Sequence, residues 1–169
     1  GLPHFSISIA LERDGEPFAG VVYEPVTDQM FVAEKGQGAF LNNRRLRVSG
    51  RKNLEEALFA TGIPFAGRDG HARYLEQLKS VMAKTSGIRR FGSAALDLAY
   101  VAAGRYEGFW ETGLHPWDIA AGIVLVREAG GFVTDMDGKD GMMNSGDIIA
   151  ANDLLHGTLS KILAKTASK

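Results

Sequence analysis

Cysteine is absent from all 169 residues of the chain. These residues therefore form no disulfide, no thiolate metal site and no thiol nucleophile, and the composition is typical of a reducing compartment. We expect a cytoplasmic protein.

The chain also lacks an excess of either charge and any long apolar run. Its 19 basic and 20 acidic residues give a formal net charge of -1, which is not the electrostatic footprint of a nucleic-acid binder. Charged residues and glycines interrupt each apolar stretch before the roughly 20 residues that a membrane-spanning helix requires. The first residues do not resemble a signal peptide. We therefore expect neither direct nucleic-acid binding nor membrane insertion.

Motifs that mark several other enzyme classes are missing as well. The sequence has no Gly-x-Ser-x-Gly elbow of a serine hydrolase and no Gly-x-x-x-x-Gly-Lys phosphate loop. Its histidines are isolated and lack the spacing of zinc ligands. They are His4, His71, His115 and His156. With 45% apolar and 23% charged residues, the sequence is that of one ordinary globular domain with a substantial core.

Residues 1–50 have the pattern of an antiparallel β-meander. Four apolar residues near the start alternate with small or polar ones, which predicts a strand with one buried face. They are Phe5, Ile7, Ile9 and Leu11. Asp14-Gly15 is typical of a hairpin turn, and Asn42-Asn43 tolerates a left-handed backbone. We expect a sheet with one face covered and the other in solvent.

Beyond residue 50 the pattern changes to alternating strands and helices. An amphipathic helix over residues 70–85 is predicted to bury Leu75, Leu78 and Met82. The other predicted elements are strands at 106–110, 132–135 and 147–151, a helix capped by Ser93, a helix that begins at Pro116, and a closing helix with a lysine-rich end. Asn53, with Glu56 three residues later, is a candidate helix start, and a strand at residues 58–61 is the alternative, so this boundary stays open. Such alternation predicts a C-terminal α/β layer over residues 51–169, packed with the meander of residues 1–50 as one unit.

Two acidic residues flank a short loop in this second half. Glu111 ends a predicted strand, and Asp118 lies in the first turn of the helix that begins at Pro116. Strand ends and helix starts meet at the edge of an α/β layer where ligands usually bind, and magnesium is commonly held by one or two carboxylates. A capping role alone would also explain Asp118. Its neighbours, Trp117 and the small residues 120–122, favour a site.

A second candidate segment runs from Arg89 to Asp97. A glycine followed by small residues at a predicted helix start exposes backbone N–H groups to an anionic or hydroxylated ligand. These residues are Gly92, Ser93 and Ala94. A capped, buried helix preceded by arginines in a solvated turn is the alternative, and both interpretations stay open. Asp97 is predicted to be structural and bonded inside the core.

Together these segments resemble the C-terminal signature of the inositol monophosphatase family. The matching segments are Trp110-Glu111, His115 to Gly122 and Glu128 to Gly131, with landmarks in the expected order at Gly20 to Tyr23, Gly36 to Phe40, Gly92 to Ala95 and Ala150 to Asn152. The resemblance covers essentially the whole chain. It implies an α+β fold, a layered α-β-α-β sandwich of the sugar-phosphatase type.

The resemblance also implies hydrolysis of a phosphate monoester by a magnesium-activated water, inhibited by lithium in many relatives. Asp118 would be catalytic, ligating magnesium and approaching a substrate hydroxyl, and Glu111 would hold substrate hydroxyls. The backbone around Gly92, Ser93 and Ala94 would line the sugar side. Inositol monophosphate is the leading substrate, with other sugar phosphates, histidinol phosphate and phosphoadenosine phosphate as alternatives. The family's habit of dimerising leads us to expect a homodimer.

The chain departs from the family pattern at its front. Relatives carry a glutamate-containing metal motif and an Asp-Pro-[Ile/Leu]-Asp-Gly-Thr motif, which is followed by a segment similar to Gly1 to Phe5. We therefore expect a C-terminal portion of a larger enzyme that by itself binds magnesium weakly and turns over little. The alternative is a non-catalytic dimerisation or regulatory module that contacts the transcription machinery, with Arg89 and Arg90 as contacts.

Overall fold

The structure is a computed structural model and describes residues 1–166. Residues 167–169, which include the last lysine of the predicted lysine-rich end, lie outside the described residues. The first half forms a five-stranded sheet of β1 (Ile7–Arg13), β2 (Glu16–Glu24), β3 (Gln29–Glu34), β4 (Gly38–Leu41) and β5 (Arg44–Arg45). Neighbouring strands follow the chain order and are antiparallel throughout. The predicted meander is confirmed.

The turns of this sheet use the residues that the sequence singled out. Asp14 and Gly15 have φ angles of 54° and 81°, and Asn42 and Asn43 have φ angles of 44° and 67°. These are left-handed conformations, which asparagine, aspartate and glycine adopt at the smallest cost. The Asn42 side chain also accepts the Met30 backbone N–H at 2.8 Å, so it secures the turn to the neighbouring strand.

The apolar alternation at the start of the chain lies on the open face of the first sheet, so the prediction that it is buried is wrong. Ile9 pairs with Val21 and Val21 with Val32, which puts the three side chains on one face. Ile9 is 62% exposed, and Phe5, Ile7 and Leu11 are exposed as well. The reason is that the helix layer packs against the opposite face, where Val22 and Phe31 are buried.

The second half forms a mixed sheet. Its strands are β6 (Leu58–Thr61), β7 (Gly87–Arg89), β8 (Gly108–Glu111), β9 (Phe132–Thr134) and β10 (Ile148–Ala151). Their spatial order is β7-β6-β8-β10-β9, with β6 parallel to β7 and β8, and β10 antiparallel to β8 and β9. The helices are α1 (His71–Met82), α2 (Ala94–Ala102), α3 (Pro116–Glu128), α4 (Met142–Ser145) and α5 (His156–Ala164).

Most of these elements agree with the predicted ones, but two details differ. The short elements β7 and α4 were not predicted. Helix α1 buries Gln77 and Val81, while Leu75 and Met82 are exposed. Leu78 is half-buried. The predicted apolar face is therefore wrong for Leu75 and Met82, because the side of α1 that packs against the protein carries Gln77 and Val81.

The sheets and helices form four alternating layers. Helices α2 and α3 pack between the two sheets, and α1 and α5 pack together on the outer face of the second sheet. This alternation confirms the predicted α+β sandwich. Among residues 1–166, no helix has the length and apolar character needed to cross a bilayer.

Helix α3 approaches its neighbours closely because small residues face each other. A Cβ atom built on Gly20 of β2 would lie 2.6 Å from the Ala121 Cα atom, and one on Gly122 would lie 2.5 Å from the Leu98 Cβ atom of α2. Both distances are shorter than real side chains tolerate. The small residues expected to permit close backbone approach do so, and they fix the position of the helix that begins with Asp118.

The far end of α3 is fastened to the first sheet by Glu128. Its two carboxylate oxygens accept the backbone N–H groups of Gly36 and Gly38, each at 2.8 Å. Both residues have positive φ angles of 81° and 93°. The turn between β3 and β4 therefore presents two donors to one carboxylate, which links the two layers.

We expect Glu128→Gln to lower the free energy of unfolding by about 1 kcal/mol, because an amide accepts with only one of its two terminal atoms and charge-assisted bonds are the stronger ones. Urea denaturation measures the change. Glu76→Gln, an exposed position on α1, is the matched control. An equal effect of the two substitutions would contradict this role for Glu128.

Candidate active site

A cavity of about 560 Å³ opens at the edge where strands β6 and β8 end and helices α2 and α3 begin. All five residues predicted for the site line it: Gly92, Ser93, Ala94, Glu111 and Asp118. The cavity therefore joins two segments that lie far apart in sequence. Its position agrees with the preference of ligands for the edge of an α/β sheet.

Asp118 occupies the first turn of α3 and is half-buried. One of its carboxylate oxygens, Oδ2, accepts the backbone N–H of His115 at 2.9 Å. The residue therefore does cap the helix, as its simplest interpretation predicts, and it also lines the cavity. The helix N-terminus stabilises a negative charge at this position, so Asp118 presents a fixed carboxylate to the cavity.

Glu111 reaches the cavity from the end of β8. A Cβ atom on Gly62, the residue that follows β6, would overlap with the Glu111 carboxylate. The absence of a side chain at position 62 thus creates the space in which this carboxylate lies. Burial raises the pKa of Glu111 to about 7, with Asp118 adding to the rise while Arg90 and Arg68 oppose it.

The start of α2 forms a third wall of the cavity. Ser93 is its N-cap, and the Ser93 hydroxyl oxygen accepts the Leu96 backbone N–H at 3.4 Å. Gly92 has a φ angle of 94°, a conformation that favours glycine. Backbone N–H groups at the first turn of a helix are suited to anionic or hydroxylated ligands. The helix is capped and buried, as one interpretation predicts, and its start lines the cavity; ligand binding by this segment stays a prediction.

Two arginines contribute positive charge to the cavity. Arg68 donates to the Gly113 carbonyl oxygen and lies over the Phe65 ring, with 4.7 Å between the guanidinium carbon and the ring centroid. Arg90 is exposed beside Gly92. Both line the cavity, so its two carboxylates are matched by two cations. Sequence reasoning missed Arg68, because no motif connects the loop that follows β6 with the loop that precedes α3.

Asp97 lies in the core beneath the start of α2. It is 1% exposed, and neither carboxylate oxygen has a hydrogen-bond partner among residues 1–166. The prediction that it is buried is right, whereas the hydrogen bonds expected for it are not found. Burial raises the pKa of Asp97 to about 8, the Glu111 carboxylate adds to the rise, and Arg90 opposes it.

The donor set fits a magnesium ion only in part. Asp118 and Glu111 supply hard oxygen ligands of the type that magnesium prefers. Within residues 1–166, however, no group of three or more histidine, cysteine, aspartate or glutamate side chains is placed to hold a metal ion. Any magnesium held here would take its remaining ligands from water, from a substrate phosphate or from other parts of the protein.

The space at Gly62 leads to a prediction about Glu111. We expect Gly62→Ala to reduce kcat/KM of the intact protein about tenfold to a hundredfold. The added methyl group displaces the Glu111 carboxylate, and misplacement of a site residue by about 1 Å lowers the rate by a factor of that size. Gly157→Ala is the matched control, since a Cβ atom there meets no atom within 4 Å. Unchanged kinetics for both variants would rule out a role for the placement of Glu111.

The chain belongs to the inositol monophosphatase family, whose model matches residues 1–169. Among curated relatives, an inositol-1-monophosphatase of Mesorhizobium japonicum is 54% identical over 168 residues, which cover 99% of this chain and 63% of that protein. Nus factor SuhB of Pseudomonas aeruginosa is 53% identical over 154 residues, which cover 90% of this chain and 57% of that protein.

Solved structures agree with this assignment. The extragenic suppressor protein SuhB of Bartonella henselae superposes with a TM-score of 0.94 and 55% identity, over 97% of this chain and 63% of that one. An inositol monophosphatase of Anabaena superposes with a TM-score of 0.91 and 40% identity, over 96% of this chain and 66% of that one. The chain therefore spans between 57% and 66% of the lengths of these four relatives.

Proposed function

We propose that the intact protein hydrolyses a small phosphate monoester with magnesium, and that inositol monophosphate is its main substrate. The observation that carries the proposal is the meeting of Asp118, Glu111 and the start of α2 in one cavity. The family of the chain supports the same reaction. A relative of the same family carries the name inositol-1-monophosphatase.

The five predicted site residues have defined roles in this proposal. Asp118 would hold magnesium with its carboxylate and would lie close to a substrate hydroxyl, while its bond to the His115 N–H keeps it in place. Glu111 accepts hydrogen bonds from substrate hydroxyls. The backbone of Gly92, Ser93 and Ala94 lines the sugar side. Magnesium, when bound, activates a water molecule and neutralises charge on the phosphoryl group.

Residues 1–169 by themselves are proposed to bind magnesium weakly and to turn over little. The support for this is that the described residues contain no cluster of three metal-binding side chains. The chain also covers 63% of the Mesorhizobium relative. A cytoplasmic location and a homodimeric state complete the proposal.

A regulatory interaction is the second candidate function. Its support is the similarity to a protein named Nus factor SuhB. Arg89 and Arg90 are exposed next to the start of α2, and they are the proposed contacts. This role requires no chemistry at Asp118.

Phosphate release from a substrate panel tests the first candidate. The panel contains inositol monophosphate, other sugar phosphates, histidinol phosphate and phosphoadenosine phosphate, each assayed with and without magnesium. The intact protein is expected to release phosphate fastest from inositol monophosphate and only with magnesium. Absence of magnesium-dependent release from every member would refute the phosphatase proposal and favour the regulatory one.

A further inference from the structure

A second, much smaller cavity lies beside the candidate active site. Its volume is about 20 Å³, which is enough for one water molecule and too little for an organic ligand. Tyr74 and Gln77 line it from α1, Trp110 and Glu111 from β8, and Gly62 from the end of β6. The cavity therefore adjoins the residue proposed to hold the substrate.

Three of the side chains that line this cavity carry a buried polar atom without a hydrogen-bond partner among residues 1–166. The atoms are Tyr74 Oη, Gln77 Nε2 and Trp110 Nε1. Gln77 is 2% and Trp110 1% exposed, so bulk water does not satisfy them. Buried polar groups are almost always paired with protein or with ordered water. Three such atoms, all on residues that line one cavity, therefore point to a common partner.

We propose that this cavity binds a single ordered water molecule that links helix α1 to the end of strand β8. The indole N–H of Trp110 and the amide N–H of Gln77 donate to its two lone pairs. Its two hydrogens then go to the Tyr74 hydroxyl oxygen and to a Glu111 carboxylate oxygen. The water then makes four hydrogen bonds, which is the upper end of the range usual for a buried water.

A halide ion is the competing occupant, because two of the three atoms are obligatory donors. Glu111 also lines this cavity, and its carboxylate, when ionised, repels an anion. Water can satisfy this carboxylate and the donors together, whereas a halide cannot donate to it. The mixture of donors and an acceptor therefore selects water.

The water would make Gln77 and Trp110 positioning residues for Glu111. Trp110 directly precedes Glu111 in β8, and the water holds its indole ring against α1. This consequence rests on the proposed function, whereas the water site itself does not.

Nuclear magnetic resonance of the whole chain tests the water site without any substrate. The sequence contains two tryptophans, and Trp117→Phe identifies the Trp110 indole signal by removing the other one, which is 68% exposed. The Trp110 indole proton is expected to show water cross-peaks of opposite sign in NOE and ROE spectra, as for a long-lived bound water. No such cross-peak in the folded wild-type chain would overturn the proposal.

A crystal structure grown with bromide distinguishes the two occupants. We expect a water within about 2.7–3.2 Å of Trp110 Nε1 and Gln77 Nε2, and no anomalous signal. Gln77→Leu is expected to lose the water and its cross-peak, while the control Glu76→Leu, at an exposed position of the same helix, keeps both. An anomalous bromide peak, or a water that remains in Gln77→Leu, would overturn the assignment.

The positioning role has a separate kinetic test in the intact protein. Gln77→Leu is expected to raise KM for inositol monophosphate more than it lowers kcat, because Glu111 is displaced while Asp118 is not. An unchanged KM after loss of the water would disprove the positioning role. Failure of the phosphatase proposal itself would appear differently, as no magnesium-dependent turnover in the wild type.

Discussion

Asp118→Asn is expected to lower kcat/KM of the intact protein for inositol monophosphate about a thousandfold, which corresponds to about 4 kcal/mol of transition-state stabilisation. The amide lacks the charge that a magnesium ligand supplies. Its oxygen can still accept the His115 N–H that Asp118 accepts at 2.9 Å. The fold of α3 should therefore survive, so that the loss reports on chemistry. Phosphate release at saturating magnesium measures the effect.

The control for this variant is Asp153→Asn, an exposed position between β10 and α5 that should keep wild-type kinetics. Circular dichroism establishes that both variants are folded. A loss of less than tenfold in Asp118→Asn would show that Asp118 is only a helix cap. Retention of an interaction with transcription proteins in an inactive Asp118→Asn would separate the regulatory role from the enzymatic one.

Asp97→Asn is expected to stabilise the protein by about 2–4 kcal/mol at pH 8 and by much less at pH 4. Burial raises the pKa of Asp97 from 3.8 to about 8. The folded state therefore binds a proton more tightly than the unfolded state. The stability contributed by this proton is fully present below about pH 4 and is lost as the pH rises to about 8. Over this range the unfolded chain loses the Asp97 proton while the folded chain keeps it, and asparagine, which has no such proton, removes this pH-dependent loss of stability.

Urea denaturation at several pH values between 4 and 8 measures the prediction. The difference in unfolding free energy between Asp97→Asn and the wild type should grow with pH, while Asp153→Asn should show no such trend. A difference that stays constant with pH would mean that Asp97 does not carry a raised pKa.

Local signals in the sequence predicted much of the fold. Ser93 and Pro116 mark helix starts, and Asn42-Asn43 marks a turn, because their preferences depend on a few neighbouring atoms. These features require no knowledge of what packs against them.

The faces that became buried could not be predicted in the same way. Alternation at Ile7, Ile9 and Leu11 shows that the two faces of β1 differ, but it does not specify which one the α2–α3 layer covers. On α1, Gln77 is buried and Leu75 is exposed, because burial depends on which side of the helix packs against the rest of the protein. The spacing of apolar residues describes a single helix or strand. The burial of a residue depends on that element and on the element that packs against it.

In the candidate site, too, some features follow from local sequence and others depend on distant residues. Glu111 and Asp118 could be brought together from sequence because both lie where a strand ends and a helix begins around one short loop. The contribution of Gly62 depends on the Glu111 side chain that fills its space, and that of Arg68 depends on its bond to Gly113. Neither partner is near in sequence, so neither contribution leaves a local signal.

A crystal structure of the intact protein with magnesium and inositol monophosphate tests the proposed site most directly. We predict an Asp118 carboxylate oxygen about 2.0–2.1 Å from a magnesium ion, Glu111 within hydrogen-bond distance of a substrate hydroxyl, and the start of α2 beside the ring. A structure in which substrate and metal bind elsewhere, leaving Asp118 bonded only to the His115 N–H, would contradict it.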